Sequence, residues 1–182
     1  MKPEHQERFP PVTTTLTDGR TVVLRFLAAS DASALGEFYE SVPREDLRFY
    51  LPHPLDREQA SKKAARADEP GFVCVVAEAA GALVGYAWYQ WKEGAGKSGF
   101  GLCVRRGWQS AGLGTALTER INEIAVTVGP PVMTLTVQLA NIRALALYRA
   151  MGFRVVREGR REKDEAWGFD EEPQYWMERR VR

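Results

Sequence analysis

Hydrophobic positions along the chain recur with two periods, and the two periods predict an alternation of strands and helices. Runs with the length and composition of strands stand at residues 20–27, 72–77, 83–91, 98–104, 132–137, 153–157 and 175–181. After Gly112, spacings of four, four, three and four place five apolar residues on one helical face: Leu113, Leu117, Ile121, Ile124 and Val128. Side chains that can cap helices predict three more: Ser30 or Asp31, Asp56, and Asn141. The order βααβββαβαββ indicates an α/β protein with an antiparallel meander in the middle.

Length and composition narrow the class of protein. The chain has 182 residues, of which 45% are hydrophobic and 27% charged, so we expect a single soluble domain over residues 1–182. Residues 1–11 hold three prolines and many charges, which predicts a flexible tail without a signal peptide. The net charge of +1 does not favour a nucleic-acid or membrane partner. No apolar run is long enough to span a bilayer.

The cysteines and histidines give no sign of a disulfide framework or a metal site. Cys74 and Cys103 both lie in strand-like runs, which predicts free thiols and a cytoplasmic location. His5 and His53 have no partners at metal-ligand spacing, so no metal is expected.

The most informative turn lies between the strand 98–104 and the helix that begins at Leu113. The first N–H groups of a helix have no internal partner, and the helix dipole adds partial positive charge there. Gly112 and Gly114 allow an anion to approach the backbone, because no Cβ stands in the way. The turn therefore predicts an anion site, most plausibly for phosphate, with an ordinary strand-to-helix turn as the plainer interpretation.

Three phosphate motifs compete for these glycines. A dinucleotide fingerprint needs a third glycine where Leu117 stands, and a P-loop fails because Gly96-Lys97-Ser98 precedes a strand. The third motif, Gln/Arg-x-x-Gly-x-Gly/Ala, is met in full by Gln109, Gly112 and Gly114.

With a second motif downstream, the sequence resembles the GNAT acyltransferase superfamily. Leu135-Thr136-Val137 is followed by Asn141, Ala144, Leu147-Tyr148 and Gly152-Phe153, which matches the second half of that superfamily's signature position by position. The clear resemblance covers residues 72–156. It implies an α/β (α+β) fold whose mixed, mostly antiparallel sheet has about seven strands and about four flanking helices. The sheet would splay between strands 98–104 and 132–137, with the acyl-CoA in the gap.

The resemblance also implies site residues. The cofactor would be acetyl-CoA, a cosubstrate, bound by Leu102, Cys103, Val104, Gln109, Ser110, Ala111, Gly112, Leu113, Gly114, Thr115, Asn141 and Tyr148. Tyr148 would be the general acid that protonates the departing thiolate; the plainer interpretation is a core tyrosine. Cys103 is an improbable nucleophile, so direct transfer in a ternary complex is the expected mechanism.

One departure from the family concerns the general base. Many relatives carry an acid on the strand before the turn, whereas residues 98–104 contain none. The alternatives are Glu78, Glu93, Asp170, Glu171 and Glu172, which would act through water or only attract a cationic acceptor; the plainer interpretation is ordinary surface charges. Six aromatic residues could line an acceptor pocket: Tyr86, Trp88, Tyr89, Trp167, Tyr175 and Trp176.

Two functions remain open at this point. The first is an N-acetyltransferase that acts on a primary amine, either a protein lysine or N-terminus or a small-molecule amine, as a monomer or homodimer. The second is a module that senses acyl-CoA without turnover, which the missing acid favours. The segments 49–55 and 167–172 are expected to meet the acceptor, because irregular loops usually carry specificity.

Overall fold

In the computed structural model, residues 3–50, 53–165 and 167–182 are described, and within them eight strands form one sheet. The strands are β1 (Val12–Thr15), β2 (Thr21–Phe26), β3 (Phe72–Ala79), β4 (Ala82–Gln90), β5 (Lys97–Val104), β6 (Val132–Gln138), β7 (Arg154–Arg161) and β8 (Glu172–Arg180). The helices are α1 (Pro3–Arg8), α2 (Ala32–Glu40), α3 (Arg44–Leu47), α4 (Arg57–Ala65), α5 (Leu113–Ala125) and α6 (Ile142–Ala150), with a 3₁₀ turn at Ala29–Asp31.

The strand order is β1-β2-β3-β4-β5-β6-β8-β7. Every neighbouring pair is antiparallel except β5 and β6, which run parallel. The predicted mixed, mostly antiparallel sheet is therefore confirmed. The short elements β1 and α3 were not predicted, and α1 occupies part of the segment that was expected to be a flexible tail.

Two hydrophobic layers cover the two faces of the sheet. Ala87 and Tyr89 of β4 pack with the apolar face of α5, which buries Leu117, Ile121 and Ile124 completely. Tyr86 and Trp88, which point to the opposite face, pack with residues of α2 and α4. The alternation along β4 follows from the two-residue period of a strand. No helix in the described ranges has the length and apolar character needed to cross a membrane.

The sheet parts between β5 and β6. Pairing covers only three positions, from Lys97 opposite Val132 to Gly99 opposite Thr134. Two side-chain hydroxyls add hydrogen bonds at the junction, which is the paired end of β5 and β6. The Ser98 Oγ donates to the Val132 carbonyl (3.1 Å), and the Thr134 Oγ1 donates to the Ser98 carbonyl (2.8 Å). Beyond the junction the strands diverge, as predicted for 98–104 and 132–137. The rings of Phe100, Tyr148 and Phe153 pack together beside the gap, with centroids 5.8 to 6.2 Å apart.

Two of the three predicted capping side chains accept a hydrogen bond from the first turn of their helix. The Asp56 carboxylate accepts from the Gln59 N–H (2.7 Å), and the Asn141 Oδ1 accepts from the Ala144 N–H (3.2 Å). The third predicted cap, Ser30 or Asp31, forms no side-chain cap hydrogen bond, although Asp31 is the N-cap residue of α2. The Asp31 carboxylate instead accepts from the Ala28 N–H (2.8 Å) and the Arg25 guanidinium (2.7 Å), because a charged partner is within its reach.

Candidate active site

The gap between β5 and β6 opens into a cleft of about 1030 Å³. One wall is the end of β5, and the opposite wall is formed by β6 and α6. The turn before α5, the α3 region and β8 complete the lining. The cleft is large enough for an extended ligand and an acceptor together.

The turn over residues 109–115, which we call the cradle, has the backbone of an anion site. Ser110 and Gly112 both have positive φ, 61° and 84°, and Ser110 is one of two such non-glycine residues in the described chain. The first bond inside α5 runs from the Ala116 N–H to the Gly112 carbonyl (3.0 Å). The N–H groups of Leu113, Gly114 and Thr115 therefore have no partner among the described residues, and they start a helix of 13 residues.

Gly112 and Gly114 leave two positions of the cradle without a side chain. A Cβ on Gly112 would make one ordinary contact, with the Thr17 Cγ2 at 3.5 Å, so the space around this position is otherwise open. Successive N–H groups in alternating backbone conformations form a concave anion site of this kind. Gln109, Ser110, Gly112, Gly114 and Thr115 line the cleft, whereas the side chains of Ala111 and Leu113 are buried in the core beneath it.

The backbone of β5 offers hydrogen bonds to the cleft at alternate residues. The Arg105 N–H donates to the Val84 carbonyl (2.9 Å), and the same register pairs Cys103 with Tyr86. Because antiparallel bonding alternates, Cys103 uses its backbone on β4, while Leu102 and Val104 face the gap. The Val104 carbonyl accepts from the Gln109 Nε2 (3.0 Å), which ties the cradle to the strand end.

Cys103 itself does not suit nucleophilic chemistry. Burial raises the pKa of its thiol to about 12, because the thiolate would lose its hydration. The thiol therefore stays protonated at neutral pH, which supports the expectation that no acyl-enzyme forms.

Tyr148 and Asn141 stand two turns apart on α6, and both line the cleft. The Tyr148 ring lies against Phe100 (6.2 Å between centroids) and Phe153 (5.8 Å), so packing fixes its position. Burial raises the pKa of its hydroxyl above the ordinary value, which keeps the proton in place. The hydroxyl donates to none of the described residues and is free to donate to a ligand.

Comparison with known proteins gives the family. The model of the acetyltransferase (GNAT) family matches residues 35–153, well over half of the chain. The chain belongs to the GNAT acetyltransferase family. Comparison with curated protein sequences gives no significant match.

Solved structures of GNAT proteins share the fold. The GNAT domain of S. lividans PAT is 21% identical, with a TM-score of 0.77 over 99% of each chain. Salmonella typhimurium yncA, solved with its cofactor acetyl-CoA, is 19% identical, with a TM-score of 0.73 over 88% of this chain and 94% of its own. A ribosomal-protein-alanine N-acetyltransferase from Brucella melitensis is 24% identical, with a TM-score of 0.69 over 86% of this chain and 98% of its own.

The acidic residues that line the cleft of this GNAT protein are not those predicted from the sequence. Asp46 and Glu178 line the cleft. Asp46 accepts from Arg106 (2.8 Å), and Glu178 accepts from Lys97 (2.5 Å). None of the five predicted alternatives lines the cleft, and three of them bind arginines: Glu78 with Arg25, Glu171 with Arg160, and Glu172 with Arg48.

Residues just before the first predicted acceptor segment contact the second segment, and among the described residues of the two segments Phe49 and Tyr50 line the cleft. The Arg161 Nη1 donates to the Arg48 carbonyl (2.8 Å), and its Nη2 donates to the Asp170 carbonyl (2.8 Å). The Arg44 Nη2 donates to the Trp167 carbonyl (3.0 Å), and Arg48 forms an ion pair with Glu172. We call these contacts the arginine bridge. Leu51 and Pro52 of the predicted segment 49–55 lie outside the described residues.

The predicted aromatic residues divide between the cleft and the core. Trp88 and Trp176 line the cleft, together with Phe49 and Tyr50. Tyr86 and Tyr89 are fully buried in the two core layers. Tyr175 and Trp167 pack partly buried against the core.

Several cleft residues were missed by sequence reasoning. They are the basic residue Arg143, near the start of α6, and the polar residues Thr134, Thr136, Gln138 and Gln174. Arg143 stands in the first turn of α6, where the helix dipole does not favour a cation, so no local pattern indicated that it lines the cleft. In the described ranges, no three His, Cys, Asp or Glu side chains group so as to hold a metal.

Proposed function

We propose that this protein is an acetyl-CoA-dependent N-acetyltransferase whose acceptor is a primary amine. The observation that carries the proposal is that three features open onto one cleft: the cradle, the free backbone of β5 and the Tyr148 hydroxyl. Family membership supports an acyltransferase, and the structural relatives named as ribosomal-protein-alanine N-acetyltransferases indicate that this fold serves amine acceptors.

The residues present fit acetyl-CoA. The N–H groups of the cradle suit its pyrophosphate, and Arg143 provides a cation at the rim of the same cleft. Leu102 and Val104 offer N–H groups along the gap, where an extended amide-bearing arm can add to the edge of β5. The Asn141 side-chain amide keeps its Nδ2 for the ligand, since only its Oδ1 is used by the helix cap. Bound acetyl-CoA would supply the acetyl group as an activated thioester.

The proposed transfer is direct. The amine nitrogen forms a bond to the acetyl carbon, and the carbon–sulfur bond breaks. A β5 N–H stabilises the charge that develops on the carbonyl oxygen. The Tyr148 Oη gives its proton to the leaving sulfur. The amine proton goes to water or to a carboxylate of the cleft, Asp46 or Glu178, each of which is ion-paired with a basic residue.

A second candidate function is a module that senses acyl-CoA, which the absence of an acid on β5 favours. An assay of thiol release separates the two. The protein is incubated with acetyl-CoA and peptides, polyamines, amino acids and aminoglycosides, and products are identified by mass spectrometry. An enzyme gives one acetylated amine per thiol released. Saturable binding of acetyl-CoA without amine-dependent release would favour the sensing module.

A further inference from the structure

A second, smaller cavity of about 230 Å³ lies between α4 and β4. Three residues of α4 and its C-cap residue face it, at spacings of three, one and three: Gln59, Lys62, Lys63 and Arg66. Trp88 and Gln90 of β4 form the opposite wall, and His53 contributes from the loop before α4. Trp88 is shared with the large cleft, so its indole separates the two cavities.

Lys63 is the unusual member of this group. Its side chain is about nine-tenths buried, and it forms no ion pair or hydrogen bond with any described residue. Its ammonium stands 5.0 Å from the Tyr86 ring centroid and 5.7 Å from that of Trp88. Such contacts offset part of the cost of burial, but a buried charge is normally paired with an opposite charge.

The neighbouring charges leave Lys63 without a counter-ion. Lys62 pairs with Glu58 (2.6 Å) and Arg66 with Glu69 (2.7 Å), both in the solvent-exposed layer. Burial lowers the pKa of Lys63 to about 8, so the side chain is still mostly charged at neutral pH. No carboxylate among the described residues reaches it, so an anion from solution can fill that role.

The remaining lining suits an oxyanion. Gln59 and Gln90 carry amide N–H₂ donors, and Lys62 and Arg66 add positive charge at the mouth. The His53 Nδ1 bonds to the Pro54 carbonyl (2.7 Å), while its buried Nε2 has no partner. Burial lowers the pKa of His53, and an anion beside it would raise that pKa.

We propose that the cavity lined by His53, Lys63 and Arg66 binds a small oxyanion, a carboxylate or phosphate group, whose counter-charge is the Lys63 ammonium. The ligand is bound behind Trp88, outside the acetyl-CoA cleft. The site does not depend on the proposed transferase activity.

Nuclear magnetic resonance can test the site without any activity assay. The chain has two histidines, so the His53 imidazole is a local reporter and His5 is an internal control, assigned with His5→Gln. Sodium phosphate and sodium acetate are titrated separately at constant ionic strength, with chloride as the reference. The phosphate and acetate arms distinguish the two sources of the oxyanion. We expect saturable shifts of His53 with one or both, and no comparable shift of His5.

Two variants make the test specific. Lys63→Met keeps the stem of the side chain but removes the charge, and should weaken the oxyanion affinity at least about tenfold. Lys163→Met, whose lysine is exposed and lies outside the lining of this cavity, is the control and should change the affinity less than about threefold. Because Lys63→Met removes an uncompensated buried charge, it should remain folded. The proposal is overturned if His53 shows no saturable response beyond that of chloride, or if Lys63→Met responds like the parent protein.

Discussion

At the scale of single residues, burial decides which groups can carry protons. Cys103 and Tyr148 face the same cleft, and burial raises the pKa of both. For the thiol the result is an inert side chain, since the thiolate is the nucleophilic form. For the tyrosine the result is a donor that stays protonated throughout the working pH range. Burial therefore argues against Cys103 as a nucleophile and in favour of Tyr148 as a proton donor.

The first prediction concerns Tyr148. Tyr148→Phe removes the hydroxyl and keeps the ring contacts with Phe100 and Phe153, so stability should change little. Turnover should fall by about 10²–10⁴-fold, because a positioned proton donor is typically worth that much, while acetyl-CoA affinity stays within a few-fold. Steady-state kinetics and calorimetry measure the two effects. Tyr175→Phe, on β8 outside the cleft, is the control and should match the parent. Turnover near that of the parent would make Tyr148 a structural residue.

The second prediction concerns the buried Lys63 ammonium. Its folded pKa of about 8 lies below the ordinary value of 10.5, so between these pH values the unfolded chain binds more protons than the folded one. The contribution of Lys63 to the free energy of unfolding therefore rises with pH over this range, by about 3 kcal/mol at most. Below pH 8 the cost of the buried charge is present in full; above 10.5 it is gone.

Two buried thiols near Lys63 also contribute a pH dependence, between about pH 9 and 12, so the measurement is a difference. Cys74 and Cys103 have pKa values raised to about 12, which gives a slope of opposite sign, and His53, Arg66 and Tyr86 also face the ammonium. Urea unfolding of the parent and Lys63→Met at pH 7.5, 9 and 10.5, in chloride buffer, isolates the lysine. The parent should gain stability relative to the variant as pH rises. Parallel pH profiles would contradict the buried charge.

At the scale of elements, β4 and β5 illustrate how glycines make room for an aromatic wall. Trp88 is paired across the strands with Gly101, and a Cβ on Gly101 would lie 2.7 Å from the indole Cε2 and Cζ2. The Trp88 Nε1 donates to the Tyr50 hydroxyl (3.1 Å), and both rings line the cleft. The absence of a side chain on β5 thus determines the shape of the neighbouring pocket.

The third prediction follows from this pairing. Gly101→Ala should displace the indole, cost about 1–3 kcal/mol of stability and raise the acceptor KM, because overpacking forces side chains away from their preferred positions. Acetyl-CoA affinity should change less. Gly96→Ala in the nearby hairpin has nothing within 4 Å of the new Cβ and serves as the control. Thermal unfolding and kinetics with the best acceptor check both effects. Equal stability of the two variants would show that Trp88 is not held against β5.

At the scale of the whole molecule, the cleft joins segments that are far apart in sequence. The arginine bridge connects residues 44–48 with residues 161–172, across sequence separations such as 113 for Arg161 and Arg48. The contacts involve residues within or next to the predicted acceptor segments and no residue of the cradle. Cofactor binding and acceptor binding should therefore be separable by mutation.

The fourth prediction tests that separation. Arg161→Met removes two hydrogen bonds of the bridge and should raise the acceptor KM several-fold, since each such bond contributes about 0.5–1.5 kcal/mol. Arg160→Met, which removes only the exposed pair with Glu171 (3.0 Å), is the matched control. Exchange of the two segments for those of another GNAT protein should change acceptor preference. A fall in acetyl-CoA affinity with unchanged acceptor preference would contradict the assignment.

The parts that were predictable from the sequence depend on short-range chemistry. The cap at Asn141, the cradle glycines and the apolar face of α5 are each encoded within a few residues. The short strand β1 and helix α3 have too few residues for a period to be visible. Asp46, Glu178 and the arginine bridge meet only through the tertiary fold, and no local pattern indicates such meetings.

The central claim is that the cradle binds the pyrophosphate of acetyl-CoA, and calorimetry of two glutamate variants tests it most directly. Gly112 and Gly94 both have positive φ, 84° and 72°, and a new Cβ has open space or ordinary contact at each. Gly112→Glu and Gly94→Glu therefore introduce comparable backbone strain and the same charge, but only the first places it in the cradle. We expect Gly112→Glu to lose at least about a hundredfold in acetyl-CoA affinity, because like charges brought together cost several kcal/mol. Gly94→Glu should bind as the parent does. Equal affinity in both folded variants would contradict the account.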